Sequence, residues 1–117
     1  MVAPTFRIVF YQEDSGREPV LDWLKRLDKA ERKIIGEDLQ TLQYRWPLGM
    51  PLVKFLSKNL WELRCTLPNR ICRIIFIVEE KNIILLHGFI KKTQKTPQRE
   101  IEIAAVRKNK LGSYGYS

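Results

Sequence analysis

The sequence predicts an α+β domain. An antiparallel β-sheet packs against an N-terminal helix pair, one more helix follows at the C-terminus, and the order is β-α-α-β-β-β-α. Three observations lead there. The second half holds apolar, β-branched runs joined by connections of three or four residues, which is hairpin spacing. Residues 19–45 carry apolar side chains at helical intervals. The chain has 117 residues, the size of one domain with one core.

The elements follow in order. Phe6-Arg7-Ile8-Val9-Phe10-Tyr11 is rich in β-branched and aromatic residues and reads as a strand, broken by Glu13-Asp14-Ser15-Gly16. Ser15-Gly16-Arg17-Glu18 fits a capping box, and Pro19 suits a first helical turn. Val20, Leu21, Trp23, Leu24 and Leu27 then mark one helix face. Asp28-Lys29-Ala30-Glu31 is a second box-like start, opening a longer helix with Ile34, Ile35, Leu39 and Leu42 inward. The stretch from Trp46 to Pro51 ends it. Three strands are expected next, Leu60 to Thr66, Ile71 to Val78 and Asn82 to Ile90. Thr96-Pro97 reads as N-cap and first residue of the last helix, with Ile101, Ala104 and Ala105 on its apolar face. Residues 1–110 are thus expected as one domain and 111–117, with two Gly and two Tyr, as a flexible tail.

Composition narrows the function classes. Twenty-one Lys+Arg against 13 Asp+Glu give a formal charge of +8, which favours an anionic partner such as nucleic acid or an acidic protein. A 44% hydrophobic content argues against disorder. No apolar run reaches the roughly 20 residues of a membrane helix, and the start lacks signal-peptide character, so a cytoplasmic location is expected. Two cysteines make no disulfide scaffold, and no Cys/His cluster has metal-ligand spacing, so neither metal nor cofactor is expected.

Strand register carries the reading further. A four-residue turn at 67–70 pairs Thr66 with Ile71, sets Cys65 opposite Cys72 and places Arg64 opposite Arg73. The next hairpin, with Val78 opposite Ile83, sets Arg73 beside Gly88 and Ile74 beside His87. Alternation then sends Leu63, Cys65, Cys72, Ile74, Phe76, Leu85, His87 and Phe89 to a core face under the helix pair. The opposite face collects Glu62, Arg64, Arg73 and Gly88, together with Ile75, Ile77, Ile84 and Leu86. Its apolar part must be covered by the last helix, a partner or both. Arg64 against Arg73 is a like-charge pair, either neutralised by an acid such as Glu62 or serving as a phosphate site. Cys65 and Cys72 fall within bonding reach, with buried thiols the better reading in a cytoplasmic chain. His87, between Leu85 and Phe89, reads as a core or hydrogen-bonded histidine rather than a catalytic one.

The segment from Ile90 to Arg99 holds Lys91, Lys92, Lys95 and Arg99 and runs into a helix N-terminus. It is either a solvated charged loop or, close to Arg64 and Arg73, a phosphate-binding rim.

Several blocks carry a resemblance: Leu60-Trp61-Glu62-Leu63-Arg64, Arg73-Ile74-Ile75-Phe76 and, most specifically, Leu86-His87-Gly88-Phe89-Ile90-Lys91-Lys92-Thr93-Gln94-Lys95-Thr96-Pro97. With Arg7 to Tyr11 and Gly49 to Lys54, they closely resemble the HigB-like, phage-derived branch of the RelE/ParE toxin superfamily over residues 6–108. The resemblance implies a RelE-like fold and the toxin of a type II toxin–antitoxin pair, a ribosome-dependent mRNA endoribonuclease. The RNA 2′-hydroxyl would attack the adjacent phosphate.

Carried over, Arg64, Arg73, Lys92 and Lys95 would be catalytic, and Lys91, Lys54, Arg70 and Arg99 would bind RNA. The tyrosine that familiar RelE members carry after the last strand is missing from Gln98 to Ile101. A lysine of lowered pKa or Glu62 is left as proton acceptor. The implied partners are the ribosome, mRNA and a HigA-like antitoxin, a helix-turn-helix protein with an acidic contact surface. Operator DNA would be met only through that antitoxin. Two further readings share the fold, a ParE-like gyrase poison without nuclease activity and a non-catalytic RNA-binding domain.

Overall fold

A computed structural model describes residues 3–114, with side chains described to residue 111. Strand β1 spans Arg7–Phe10, followed by helices α1 (Pro19–Lys25) and α2 (Lys29–Arg45). Four strands come next, β2 (Val53–Ser57), β3 (Leu60–Thr66), β4 (Ile71–Glu79) and β5 (Asn82–Ile90), and α3 (Gln98–Tyr114) ends the described chain. The sheet order is β1-β5-β4-β3-β2. The fold is α+β, as the sequence predicts, with two corrections. The sheet is mixed, because β1 runs parallel to β5 through Arg7↔Asn82 to Phe10↔Leu85. It also has a fifth strand, β2, antiparallel to β3 at the sheet edge. The sequence hides β2 because only Val53 of its five residues is buried and its pairing slips between Phe55 and Ser57.

Both helix starts repay attention. Glu31 at α2 accepts the backbone N–H of Asp28 at 3.3 Å, as the expected box requires. The box expected at Ser15 does not form. Gly16 takes φ +92°, a turn conformation suited to glycine, and α1 starts at Pro19 with Glu18 as its cap residue. Helix α3 continues to Tyr114, four residues into the stretch expected to be a loose tail, and Leu111 packs on the core. Residues 115–117 of that expected tail lie outside the described residues.

The sheet buries both faces. Val20, Leu24, Ile35, Leu39 and Leu42 of the helix pair close over Leu63, Cys65, Cys72, Ile74, Phe76, Ile83 and Leu85. On the other side Ala104, Ile101 and Leu111 of α3 close over Ile75, Ile77, Ile84, Leu86 and Phe89. Full burial of each such side chain is worth about 1.5–3 kcal/mol, which explains why α3 must cover the second face. No helix among the described residues is long and apolar enough to cross a membrane.

The first hairpin register holds throughout: Thr66↔Ile71, Cys65↔Cys72 and Arg64↔Arg73. Both cysteines are buried free thiols, and the hydrogen bond with Cys72, together with burial, pushes the Cys65 thiol up. The second hairpin starts as expected at Val78↔Ile83 but slips between Ile75 and Phe76. Phe76 pairs with Leu85 while Ile75 pairs with His87, so Leu86 is an extra residue, a β-bulge. The slip moves every later side chain across the sheet. Arg73 lies beside Phe89 rather than Gly88, and Ile74 beside Gly88 rather than His87. His87 and Phe89 therefore face α3, and Gly88 turns to the helix pair. A Cβ there would come within 2.5 Å of the Trp23 ring, so only glycine lets the indole lie on the strand.

Candidate nucleic-acid interface

The basic segment leaves β5 at Ile90 and crosses the α3 side of the sheet before α3 begins. Lys91 is tied to β4 through its N–H to the Ile71 carbonyl at 2.7 Å. Past it, Lys92, Thr93, Gln94 and Lys95 are exposed, and Thr96 is buried. A groove of about 580 Å³ lies between this segment and the β3–β4 turn, lined by Leu67, Asn69, Arg70, Ile71, Lys91, Lys92, Thr93 and Gln94. A second hollow of about 490 Å³ adjoins it through Lys92 and Thr93, and Trp23, Phe89, Pro97 and Arg99 help to line it. The two hollows share Lys92 and Thr93 in their walls, a divided depression beside the loop.

Under the loop sits a charged cluster. Arg73 is 1% exposed and Glu62 is fully buried. Arg73 Nη1 donates to Thr96 Oγ1 at 3.0 Å, and Nη2 donates to the Gln94 carbonyl at 2.9 Å and the Thr93 carbonyl at 3.4 Å. The Thr96 hydroxyl donates in turn to Glu62 Oε2 at 2.7 Å. Arg73 Nε stands 3.5 Å from Glu62 Oε1, an ion pair without a hydrogen bond. Burial lowers the Arg73 pKa, the Glu62 charge raises it, and the neighbouring Arg64 charge lowers it.

This geometry revises several expected roles. Glu62 does neutralise Arg73, the first of the two readings of the arginine pair. Its carboxylate, expected as a candidate general base, is sealed from solvent with Oε2 accepting from the Thr96 hydroxyl. Arg73, expected as a catalytic contact, points into the fold. Thr96, expected as the α3 N-cap, has its hydroxyl on Arg73 and Glu62 instead, and Pro97 supplies the carbonyl that receives the first helical N–H bonds. Arg70 lines the groove but is held by Glu31 in a two-pronged pair at 2.8 and 2.9 Å. That pair holds the Glu31 carboxyl below its ordinary range.

The remaining cations divide between two places. Lys91 and Lys92 line the groove, Lys95 is exposed on the same loop, and Arg99 is exposed at the start of α3. Arg64 and Lys54 lie apart, on the β2–β3 side of the sheet. Arg64 borders a small hollow of about 220 Å³ with Asp38, Pro51 and Leu52, and Lys54 pairs in register with Glu62.

The sequence does not give the loop's carbonyl contacts, and it gives His87 as core or hydrogen-bonded without its partner. Thr93 and Gln94 act through their carbonyls, which no side-chain pattern announces. His87 hydrogen-bonds Glu100 of α3 at 2.8 Å because the bulge turns it that way. Burial lowers the His87 pKa, and Glu100 partly offsets this.

The lysine-bearing loop lies within the segment that the comparisons single out. The model of the family described as phage-derived protein Gp49-like (DUF891) matches residues 22–109, well over half of the chain. The chain belongs to this Gp49-like family. The family is one of RelE/HigB-like toxins and is associated with toxin–antitoxin systems. The match spans α2, β2 to β5, the loop and most of α3, so every residue of the depression lies inside it. A search of curated proteins gave no match.

Proposed function

We propose that this Gp49-like protein is the toxin of a type II toxin–antitoxin pair, of the HigB kind, and that it cuts mRNA on the ribosome in the cytoplasm. The observation that carries this reading is the cation-lined groove at Lys91 and Lys92, which lies within the residues matched by the family model. Lys91, Lys92 and Lys95 attract the RNA backbone and stabilise charge on the scissile phosphate. Arg64, Lys54 and Arg99 extend the attraction along the flanking strand. In the reaction the 2′-oxygen bonds to phosphorus, the bond to the 5′-oxygen breaks, and a proton passes from the 2′-hydroxyl to solvent while the 5′-oxygen gains one.

The groove lining contains amines, amides, a hydroxyl and a guanidinium, but neither carboxylate nor imidazole. Such a groove binds and polarises a phosphate, and the carboxylate that lines the adjoining hollow, Glu100, is hydrogen-bonded to His87. That composition fits chemistry completed only on the ribosome, which orients the RNA and supplies further groups. It equally favours a second reading, RNA binding without cleavage. Neutralisation by a helix-turn-helix antitoxin with an acidic surface fits the same charge.

One assay separates the readings: translation in vitro with purified protein, followed by mapping of mRNA 3′ ends. Cleavage confined to ribosome-bound mRNA, and abolished by a 2′-deoxy nucleotide at the cut, supports the proposal. Equal cutting of naked RNA removes the ribosome requirement. Binding without cutting leaves the non-catalytic reading, and inhibited supercoiling by gyrase points to a ParE-like poison.

A further inference from the structure

Arg73 has the residue type expected of a phosphate ligand but not the position. Its guanidinium is buried, paired with a buried carboxylate, and directed at three acceptors of one short segment, the carbonyls of Thr93 and Gln94 and the hydroxyl of Thr96. The exposed Lys92 precedes that segment and the exposed Lys95 lies within it. We propose that Arg73 is a positioning residue: with Glu62 and Thr96 it clamps the loop from below and so presents Lys91, Lys92 and Lys95 to RNA. The inference rests on the RNA reading above and assigns the work within it.

The physical argument concerns freedom. A loop of exposed polar residues has little apolar surface to hold it, and each lysine it carries would otherwise sample many positions. A planar fork of five donors spans several acceptors at fixed angles, which a single ammonium does not reproduce. Glu62 completes the device. It cancels the buried charge and, through Oε2, holds the Thr96 hydroxyl so that its lone pair faces Arg73. Arg73 and Glu62 sit on the two central strands β4 and β3, and Thr96 lies two residues before α3. Ordering therefore passes from sheet to loop. The cluster contributes almost no net charge outward, and the attraction for phosphate comes from the exposed cations around it.

The test is binding of a labelled single-stranded RNA oligonucleotide across a salt series, with hydrogen exchange of the loop amides and thermal unfolding measured alongside. Thr96→Val removes the link without altering any charge or any exposed group. It should weaken binding about five- to tenfold and speed exchange at residues 93–97, with the salt slope unchanged. Thr96→Ser, which keeps the hydroxyl, should restore binding. Lys92→Gln, by contrast, should flatten the slope by about 0.7, the value for one lost phosphate contact on a single strand. Phenylglyoxal should label Arg64 in the free protein and should spare Arg73 whether or not RNA is bound.

Parent-like binding by a folded Thr96→Val, or by Thr96→Ala if valine prevents folding, overturns the inference and leaves the RNA reading intact. So does labelling of Arg73 that RNA blocks. Parent protein that binds no RNA, or a Lys92→Gln variant with an unchanged slope, overturns the RNA reading itself.

Discussion

Arg73 Nε and Glu62 Oε1 face each other at 3.5 Å on adjacent central strands, and neither side chain is more than 1% exposed. A buried pair of this kind contributes little over an apolar pair of the same shape. Breaking it leaves one charge stranded. Arg73→Ala should therefore cost about 3–5 kcal/mol of stability in urea unfolding. The double change Arg73→Met with Glu62→Leu should cost much less than the sum of the single changes. Additive losses would show that the two charges do not depend on each other.

Arg70 lies in the groove with its charge committed to Glu31. Glu31→Gln weakens that hold and should raise RNA affinity roughly twofold, since a freed guanidinium is one more phosphate contact. The measurement is the binding constant at fixed low salt. A drop in affinity would mean that the Glu31–Arg70 pair orders the turn rather than withholding a cation.

His87 gives the fold a pH dependence with a definite sign. Burial holds its pKa below the ordinary 6.5, so in the window just under that value the unfolded chain binds more protons than the folded one. Stability should be complete above that window and fall as the pH falls through it. Glu31, with a lowered pKa, adds its own loss at more acidic pH, as the pH falls from 4.5 toward its folded value. Urea midpoints at about pH 7.5 and about pH 5.5 should differ for the parent and converge for His87→Gln. Equal differences in both would assign the dependence elsewhere.

Gly88→Ala should destabilise by about 1–3 kcal/mol, because the added methyl meets the Trp23 ring at 2.5 Å and the strand beneath has no room to move. Thermal unfolding followed by tryptophan fluorescence reads both the loss and the shifted ring. Trp23→Leu should recover part of the loss.

The sequence carries much of this, but unevenly. Hydrophobic periodicity located both N-terminal helices and three central strands, and the four-residue turn set Arg64 opposite Arg73 correctly. Strand β2 escaped because an edge strand buries little and so leaves no alternating pattern. Leu86 looks like any core leucine, and nothing in its neighbourhood marks it as the extra residue that carries His87 and Phe89 to the other face. The cluster of cations was legible as charge, but its division was not. Which guanidinium is buried depends on where Thr93 to Thr96 cross the sheet, and backbone carbonyls have no letter in a sequence. Thr96 before proline read as a cap for the same reason: its partners, Glu62 and Arg73, are distant in the chain.

The parallel pairing of β1 with β5 has a consequence for how the molecule is made. Arg7 reaches Asn82, 75 positions later, with a side-chain hydrogen bond of 3.0 Å. The first strand to leave the ribosome thus waits for the last one before it has a neighbour. Its contacts are among the least local in the fold, and such contacts form late. The hairpins β3–β4 and β4–β5 are local and need no such delay. A nascent chain accordingly holds an unfinished sheet until β5 has emerged, and α3 seals the second face later still. A protein proposed to attack translating ribosomes would thus become competent only after α3 has left the ribosome.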